Sequence, residues 1–233
     1  MGLKLDQVVP WGRSCSEYVR MFALSEDDRA CKILDCGGGP ASFNVEMTQQ
    51  NGSVISCDPL YEFSTEEIQQ QIQTTYPKIL QGVAAEQHCY VWQELGSPER
   101  MGQIRMAAMQ AFLADFELGR LQHRYRSEAL PDLPFADRQF DLALCSHLLF
   151  TYSDHLSLQF HLDSIVEMTR VAAAVRIFPL LTVSGELSPF VQSVVEHFSA
   201  AGYATQIKRV PYEFQRGGNQ MLQVSRDVIY SCS

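Results

Sequence analysis

The sequence predicts an α/β protein built on a doubly wound, mostly parallel seven-stranded sheet with an inserted helical cap. Three observations predict it. Short apolar runs alternate with longer amphipathic helical patterns along the chain. A glycine turn, Gly37-Gly38-Gly39-Pro40, directly follows the first apolar run, Lys32-Ile33-Leu34-Asp35-Cys36. The run Phe140-Asp141-Leu142-Ala143-Leu144-Cys145-Ser146 is nearly continuous rather than alternating, as in a central strand covered on both faces.

Residues 14–24 read as a short helix with Tyr18, Val19 and Phe22 on one face, and residues 1–28 as an amino-terminal helical lid. The first strand, residues 32–36, ends at the glycine turn, and a helix follows to about Gln50. Asn51-Gly52 stops that helix, and Val54-Ile55-Ser56-Cys57 forms a second strand running into Asp58-Pro59. A simple crossover needs one helix, yet residues 62–120 hold material for two or three. Ser64-Thr65-Glu66-Glu67 is a helix start, because a hydroxyl can cap and the acids oppose the dipole. Tyr76-Pro77 and Gly96-Ser97-Pro98 are read as its breaks. Met101, Ile104, Ala108, Phe112 and Phe116 keep a helical period and read as core packing. Further strands are expected at residues 122–126, 140–146 and 174–178. Helices are expected at residues 154–170 and from Ser188-Pro189 to about Gly202. The tail reads as two strands, residues 203–210 and 220–228, the last antiparallel, joined through a Gly217-Gly218-Asn219 turn.

Composition narrows the class. The chain has 233 residues, 46% hydrophobic and 19% charged, enough for one substantial core in a single domain. A net charge of −9 disfavours nucleic acid as a partner, since phosphate binding leans on clustered Lys and Arg. No apolar run reaches membrane-spanning length, and the amino terminus lacks the pattern of a secretion signal. Seven cysteines, none in C-x-x-C spacing, suggest neither a disulfide framework nor a metal site. A reducing cytoplasm is the expected location.

In open α/β sheets ligands gather at the carboxyl ends of the strands. Glycines at 37, 38 and 39 let the backbone turn sharply and let a ligand come where a Cβ would collide, although a tight turn with no ligand reads the same way. Asp58, nineteen residues after Gly39, stands where a carboxylate takes the hydroxyls of a ribose; its bland alternative is a turn cap before Pro59. A dinucleotide turn wants a third glycine where this chain has Ser42, and Asp35 would repel a pyrophosphate. An acid there suits a cationic ligand, and S-adenosylmethionine carries a sulfonium and an ammonium.

With these residues the sequence resembles the class I S-adenosylmethionine-dependent methyltransferases, over residues 32–181. ILDCGGGPASF is similar to that family's first motif, with Ala41 in place of the final glycine. VISCDP is similar to the second, and SEALPDLPFADRQFDLALCSHLLF to the adenine-loop and fourth-strand motifs. Closer still, the whole chain resembles a bacterial group of such proteins that has no assigned substrate. The resemblance implies a Rossmann-like methyltransferase fold and in-line methyl transfer, with S-adenosylmethionine as cofactor and a small-molecule substrate as the expected partner. Asp35, Gly37, Gly38 and Gly39 would face the methionine portion, and Asp58 would hold the ribose. Pro59 and Leu60 would pack on the adenine, Glu128-Ala129 would read its amino edge, and Ser146 would lie below the sulfonium. The family's acid-His pair is replaced here by Phe150-Thr151-Tyr152.

Base catalysis is required only if the acceptor must lose a proton. His147 is the first candidate, with Tyr152 and His155 behind it; a hydrogen-bonded structural histidine is the competing reading. Arg13, beside Trp11, could pair with the cofactor carboxylate, or its segment could simply close the sheet edge. The segment from Tyr212 through Arg216 to Asn219 could orient a substrate, or be an ordinary hairpin tip. Arg120, His123, Arg124 and Arg126 form a locally basic group that could receive an anion or lie solvated. Neither an Asn-Pro-Pro-aromatic motif nor a Pro-Cys pair is present, which argues against base-amine and cytosine-carbon acceptors. Two other classes stay open: a nicotinamide-dependent (NAD(P)) oxidoreductase, and a catalytically silent module that binds cofactor or a protein partner.

Overall fold

A computed structural model describes residues 9–226. Two short helices lead in, α1 (Cys15–Met21) and α2 (Glu26–Ala30). Each begins with a serine whose side chain and an acid three residues later satisfy each other's backbone N–H groups, Ser14 with Glu17 and Ser25 with Asp28. The chain then forms β1 (Lys32–Cys36), α3 (Phe43–Gln49), β2 (Ser53–Cys57), α4 (Thr65–Ala85), α5 (Pro98–Leu121) and β3 (Tyr125–Arg126). It continues through β4 (Phe140–Ser146), α6 (Leu158–Val171), β5 (Ala172–Phe178), α7 (Val191–Ala200), β6 (Ala204–Arg209) and β7 (Gln220–Ser225).

One seven-stranded sheet runs in the order β3-β2-β1-β4-β5-β7-β6. All pairings are parallel except those of β7, which is antiparallel to both β5 and β6. The chain builds outward from β1 through β2 to β3, then returns to β4 on the other side of β1. That reversal opens a crevice beyond the carboxyl ends of β1 and β4. The six-strand all-parallel order of dinucleotide-binding sheets is not the order found here. Register aligns Cys36 with Cys57 on one side and Cys145 on the other, so three buried thiols cross the sheet in a row. The expected α/β, doubly wound, mostly parallel sheet is the observed one.

Apolar packing covers both faces. One cluster joins β1, β4, β5 and β7 to α6 and α7 through Ile165, Met168, Val194 and Phe198. On the other face Tyr18, Phe22 and Phe43 pack over Ile33, Leu142 and Leu144. Separate apolar clusters sit within α4 and α5, where Ile68, Ile72, Phe112 and Phe116 meet Tyr61 and Tyr125. Among the described residues no helix is long and apolar enough to cross a membrane.

Several boundaries move. The expected break at Tyr76-Pro77 is absent: α4 runs through Pro77. A proline in a helix interior costs about 3 kcal/mol, and the buried line Ile68, Ile72, Ile79 and Val83 offsets it. The break at Gly96-Ser97-Pro98 is present, with Ser97 capping α5 and Pro98 in its first turn. Strand β3 has two residues rather than five, because α5 extends to Leu121 and His123 takes a left-handed φ of 58° to close it. Helix α6 begins at Leu158 rather than Asp154, since Phe150–Tyr152 form a 3-10 turn and Ser157 provides the cap. β5 starts at Ala172, directly after α6, and α7 starts at Val191. Helix α2 escaped sequence reading because none of its residues is buried, so no apolar period marks it. Residues 1–8 of the expected lid, the reading of the last strand beyond Arg226, and Cys232 lie outside the described residues.

Candidate cofactor and acceptor site

The glycine turn leaves β1 and bends back over the end of β2. Gly37 and Gly38 donate their N–H groups to the Cys57 carbonyl at 2.8 and 3.3 Å. Gly39 has φ +53°, a conformation that L side chains rarely adopt, and around its missing Cβ only an Asp58 oxygen approaches, at 3.9 Å. Gly38 is needed for the opposite reason. A Cβ there would stand 2.4 Å from an Asp35 carboxylate oxygen. Asp58 locks the turn from β2: one oxygen accepts the Gly39 N–H at 2.9 Å and the other the Leu60 N–H at 2.8 Å. Each oxygen keeps a second lone pair for an outside donor. Burial pushes the Asp58 carboxyl up, while the two backbone bonds pull it back.

Two cavities meet at this turn. The first, of about 1110 Å³, lies beyond the ends of β1, β4 and β5. The second, of about 900 Å³, lies on the β2 side. Gly37, Gly39, Asp58 and Leu148 line both. Pro59, Leu60 and Ala129 line only the second, with Phe63 and Leu130, as a slot with mostly apolar walls. Arg13, Gly38, Ser146, His147, Tyr152 and Tyr212 line the first.

Arg13 is held through its Trp11 carbonyl contact at 3.1 Å, and its buried Nε has no partner among the described residues. Burial, then the charge of Arg105, lowers its pKa to about 10. His147 sits at φ +52° just past β4, its N–H donated to the Phe178 carbonyl at 2.7 Å. Its Nδ1 lies 2.9 Å from Ser146 Oγ. Burial, then the charges of Arg13 and Arg105, holds the imidazole well below its ordinary pKa, so it is neutral. In the tautomer that donates Nδ1–H to Ser146, Nε2 carries the free lone pair. The Tyr152 hydroxyl accepts the Val9 N–H at 3.2 Å, and burial raises its pKa, so it stays protonated.

Four expected site residues are placed elsewhere. Asp35 is 1% exposed and lies under Gly38 instead of in either cavity, accepting hydrogen bonds from Tyr18 at 3.1 Å and Ser56 at 3.0 Å. Burial raises its pKa to about 7. It shapes the turn from below. Glu128 points to Arg126, with contacts of 2.5 and 3.0 Å, and leaves the cavity wall to Ala129 and Leu130. Arg216 donates to the His88 carbonyl at 2.7 Å, and Asn219 to Glu213 at 2.7 Å, so both brace their loop rather than line the first cavity. In the basic group, Arg124 is spent on Asp115 and Asn44, and Arg126 on Glu128.

Ile79 and Val83 of α4, with Tyr90 and Thr151, are not singled out by the sequence as site residues, yet they line the first cavity together with Phe214 and Gln215 of the 212–219 segment. Their four-residue spacing marks Ile79 and Val83 as one helix face, which sequence alone assigns to core packing. The wall is tied together by a buried knot. Arg105 of α5 pairs with Glu17 of α1 and donates to the Tyr212 hydroxyl at 3.2 Å, and that hydroxyl reaches Glu17 at 2.9 Å. Arg105 and Glu17 are each 1% exposed. Burial opposes the Glu17 charge, but Arg105 overrides it and holds the carboxyl down at about 2.

The strand order, the glycine turn at the end of β1 and the acid at the end of β2 together define the Rossmann-like fold of the class I S-adenosylmethionine-dependent methyltransferases. Within it, the chain belongs to the same family as the uncharacterized protein MJ0045 of the archaeon Methanocaldococcus jannaschii, to which it is 32% identical over 227 residues, covering 96% of this chain and 99% of that one. No family model matches the chain. Among solved structures it is similar to magnesium protoporphyrin IX methyltransferase from Synechocystis PCC 6803, with a TM-score of 0.46, 10% identity, and coverage of 91% of this chain and 78% of that one. It is also similar to an O-methyltransferase family protein from Burkholderia thailandensis, with a TM-score of 0.49, 12% identity, and coverage of 91% and 56%.

Proposed function

We propose that the protein is an S-adenosylmethionine-dependent methyltransferase acting on a small molecule. One observation carries the reading: Asp58 and the glycine turn stand at the junction of two cavities, so a ligand gripped there extends into both. The residues fit the cofactor. The open approach over Gly39 leaves room for a ligand where a side chain would stand. Asp58 retains lone pairs for two ribose hydroxyls, and the apolar slot beside Leu60 and Ala129 suits a flat purine. The unpartnered Nε of Arg13 in the first cavity suits a carboxylate. When bound, S-adenosylmethionine supplies a methyl group activated by its sulfonium. The chain's own residues then align the acceptor and exclude water. Neutral His147 offers a lone pair to an acceptor that must lose a proton, and Tyr152, kept protonated by burial, serves as a hydrogen-bond donor and not as a base. A small acceptor is favoured because Arg105, Arg124 and Arg126 are engaged by acids, leaving them no role toward a phosphate backbone. Of the expected lid, residues 9–28 hold Trp11 and Arg13 against the first cavity.

Titration calorimetry with S-adenosylhomocysteine tests the reading. Binding should weaken by roughly 1–3 kcal/mol in Asp58→Ala, the cost of leaving ribose hydroxyls unpaired. A thermal melt of the unliganded variant reports separately the loss of the Gly39 and Leu60 bonds. Unchanged affinity would remove Asp58 from the ribose, and absence of binding by the native chain would end the reading.

A further inference from the structure

The first cavity reaches past the glycine turn to walls contributed by α4 and by the chain between β6 and β7, and that part has a definite chemistry. Its walls away from the glycine turn are Ile79, Val83, Tyr90, Phe178, Val183 and Phe214. Tyr90 and Phe214 stack on each other with ring centres 4.6 Å apart and planes at 20°, while Phe178 meets Tyr212 edge-on at 5.7 Å. These are rigid, flat, apolar surfaces.

Charges around this part of the cavity are already neutralised. Glu17 and Arg105 consume each other, Arg20 pairs with Glu94, and Arg216 is turned to the His88 carbonyl. Glu213 is taken by the Gly217 N–H and Asn219. Asp58 belongs to the glycine turn, and Arg13 is the remaining cation of the lining. A charged acceptor entering here would lose its hydration with no countercharge to replace it.

Two polar side chains break the apolar wall: Gln215, whose amide donates to the Thr182 and Val183 carbonyls at 3.4 and 3.0 Å, and Thr151. Thr151 lines the cavity, and its buried hydroxyl has no hydrogen-bond partner among the described residues. It sits four residues past His147 on the same connection between β4 and α6. A buried hydroxyl left unpaired is costly, so a ligand group that pairs with it gains more than a surface contact would give.

From these features we infer that the acceptor is an uncharged, flat, ring-bearing molecule whose hydroxyl is held by Thr151, between the aromatic walls and His147. This rests on the methyltransferase reading above, since it assigns Arg13 and Asp58 to the cofactor.

The test uses binding alone. The protein is saturated with S-adenosylhomocysteine, and four probes of similar size are titrated: 2-naphthol, naphthalene, anionic 2-naphthoate and cationic tryptamine. 2-Naphthol should bind at least about tenfold more tightly than either ion. Thr151→Val should weaken 2-naphthol by about fivefold to tenfold, leave naphthalene and S-adenosylhomocysteine unchanged, and be rescued by Thr151→Ser. Preference for 2-naphthoate would overturn the inference and assign Arg13 to the acceptor. Preference for tryptamine, binding of none of the probes, or an unaffected Thr151→Val variant would overturn it as well. Failure to bind S-adenosylhomocysteine would instead strike the methyltransferase reading itself, so the two failures are distinguishable.

Discussion

The two ends of the first cavity are built by different means. At the end proposed for the cofactor, backbone geometry dominates: Gly39 and Leu60 N–H groups lock onto Asp58, and Asp35 props the turn from beneath. At the end proposed for the acceptor, a buried ion pair between α1 and α5 holds Tyr212 of the segment between β6 and β7, and α4 adds Ile79 and Val83 to the wall. Glu17 and Arg105 are 88 residues apart, and Tyr212 and Glu17 are 195 apart. The first end is a local motif and the second a tertiary assembly. Loss of a single contact should therefore be felt differently at each.

The largest effect is expected at the knot. Arg105→Met removes one partner of a pair that is 1% exposed and leaves Glu17 charged and buried. Urea unfolding should show a loss of about 3–5 kcal/mol, while the surviving folded protein binds S-adenosylhomocysteine nearly as before. An equal collapse of cofactor affinity would break the distinction between the two ends.

A pH-dependent effect is expected beneath the glycine turn. Asp35 has its pKa raised from 3.8 to about 7, chiefly by burial. Below about pH 4 both folded and unfolded chains carry its proton. Between about pH 4 and 7 the unfolded chain gives it up and the folded chain does not, so stability from this group falls as pH rises through that window. Asp35→Asn removes the titration. Relative to the native chain the variant should gain about 4 kcal/mol between pH 3 and pH 8. Buried neutral His147 titrates in the opposite sense, but it is common to both proteins and cancels in the difference. A stability difference flat with pH would show that Asp35 is not the titrating group.

The smallest effect belongs to the insertion. Ser64 caps α4 by accepting the Glu67 N–H at 3.2 Å, and Ser64→Ala should cost about 1 kcal/mol in a thermal melt. Cofactor affinity should stay unchanged, because the cap touches neither the glycine turn nor Asp58. A drop in affinity would mean that α4 supports the cofactor end as well.

This contrast also explains what the sequence disclosed. The glycine turn and Asp58 are carried by residues close in sequence whose types are dictated by backbone needs. Asp35 was read as a ligand contact because its position in the motif is visible while its depth is not. Its burial follows from Tyr18 and Ser56 closing over it, and Tyr18 comes from another helix. Arg216 and Asn219 were chosen for polarity, yet polarity alone does not separate a loop's internal bracing from a cavity wall. Thr151 and Tyr90 leave no local trace, since the surface they share with Phe214 exists only after three distant segments have been brought together. Pro77 misled for a related reason: local propensity ended a helix that buried isoleucines and Val83 carry through.

The row of thiols across β2, β1 and β4 has a practical consequence. Cys57, Cys36 and Cys145 are sealed in the sheet, and burial keeps all three protonated. Alkylating reagents and mild oxidants therefore meet a floor that does not react, and among the described residues only Cys31 and Cys89 are partly open to them. Cys89 lies beside the segment that closes the acceptor end, its carbonyl receiving the Arg216 N–H. A dye attached there would stand near the rim of the chamber while the three buried thiols stayed unlabelled.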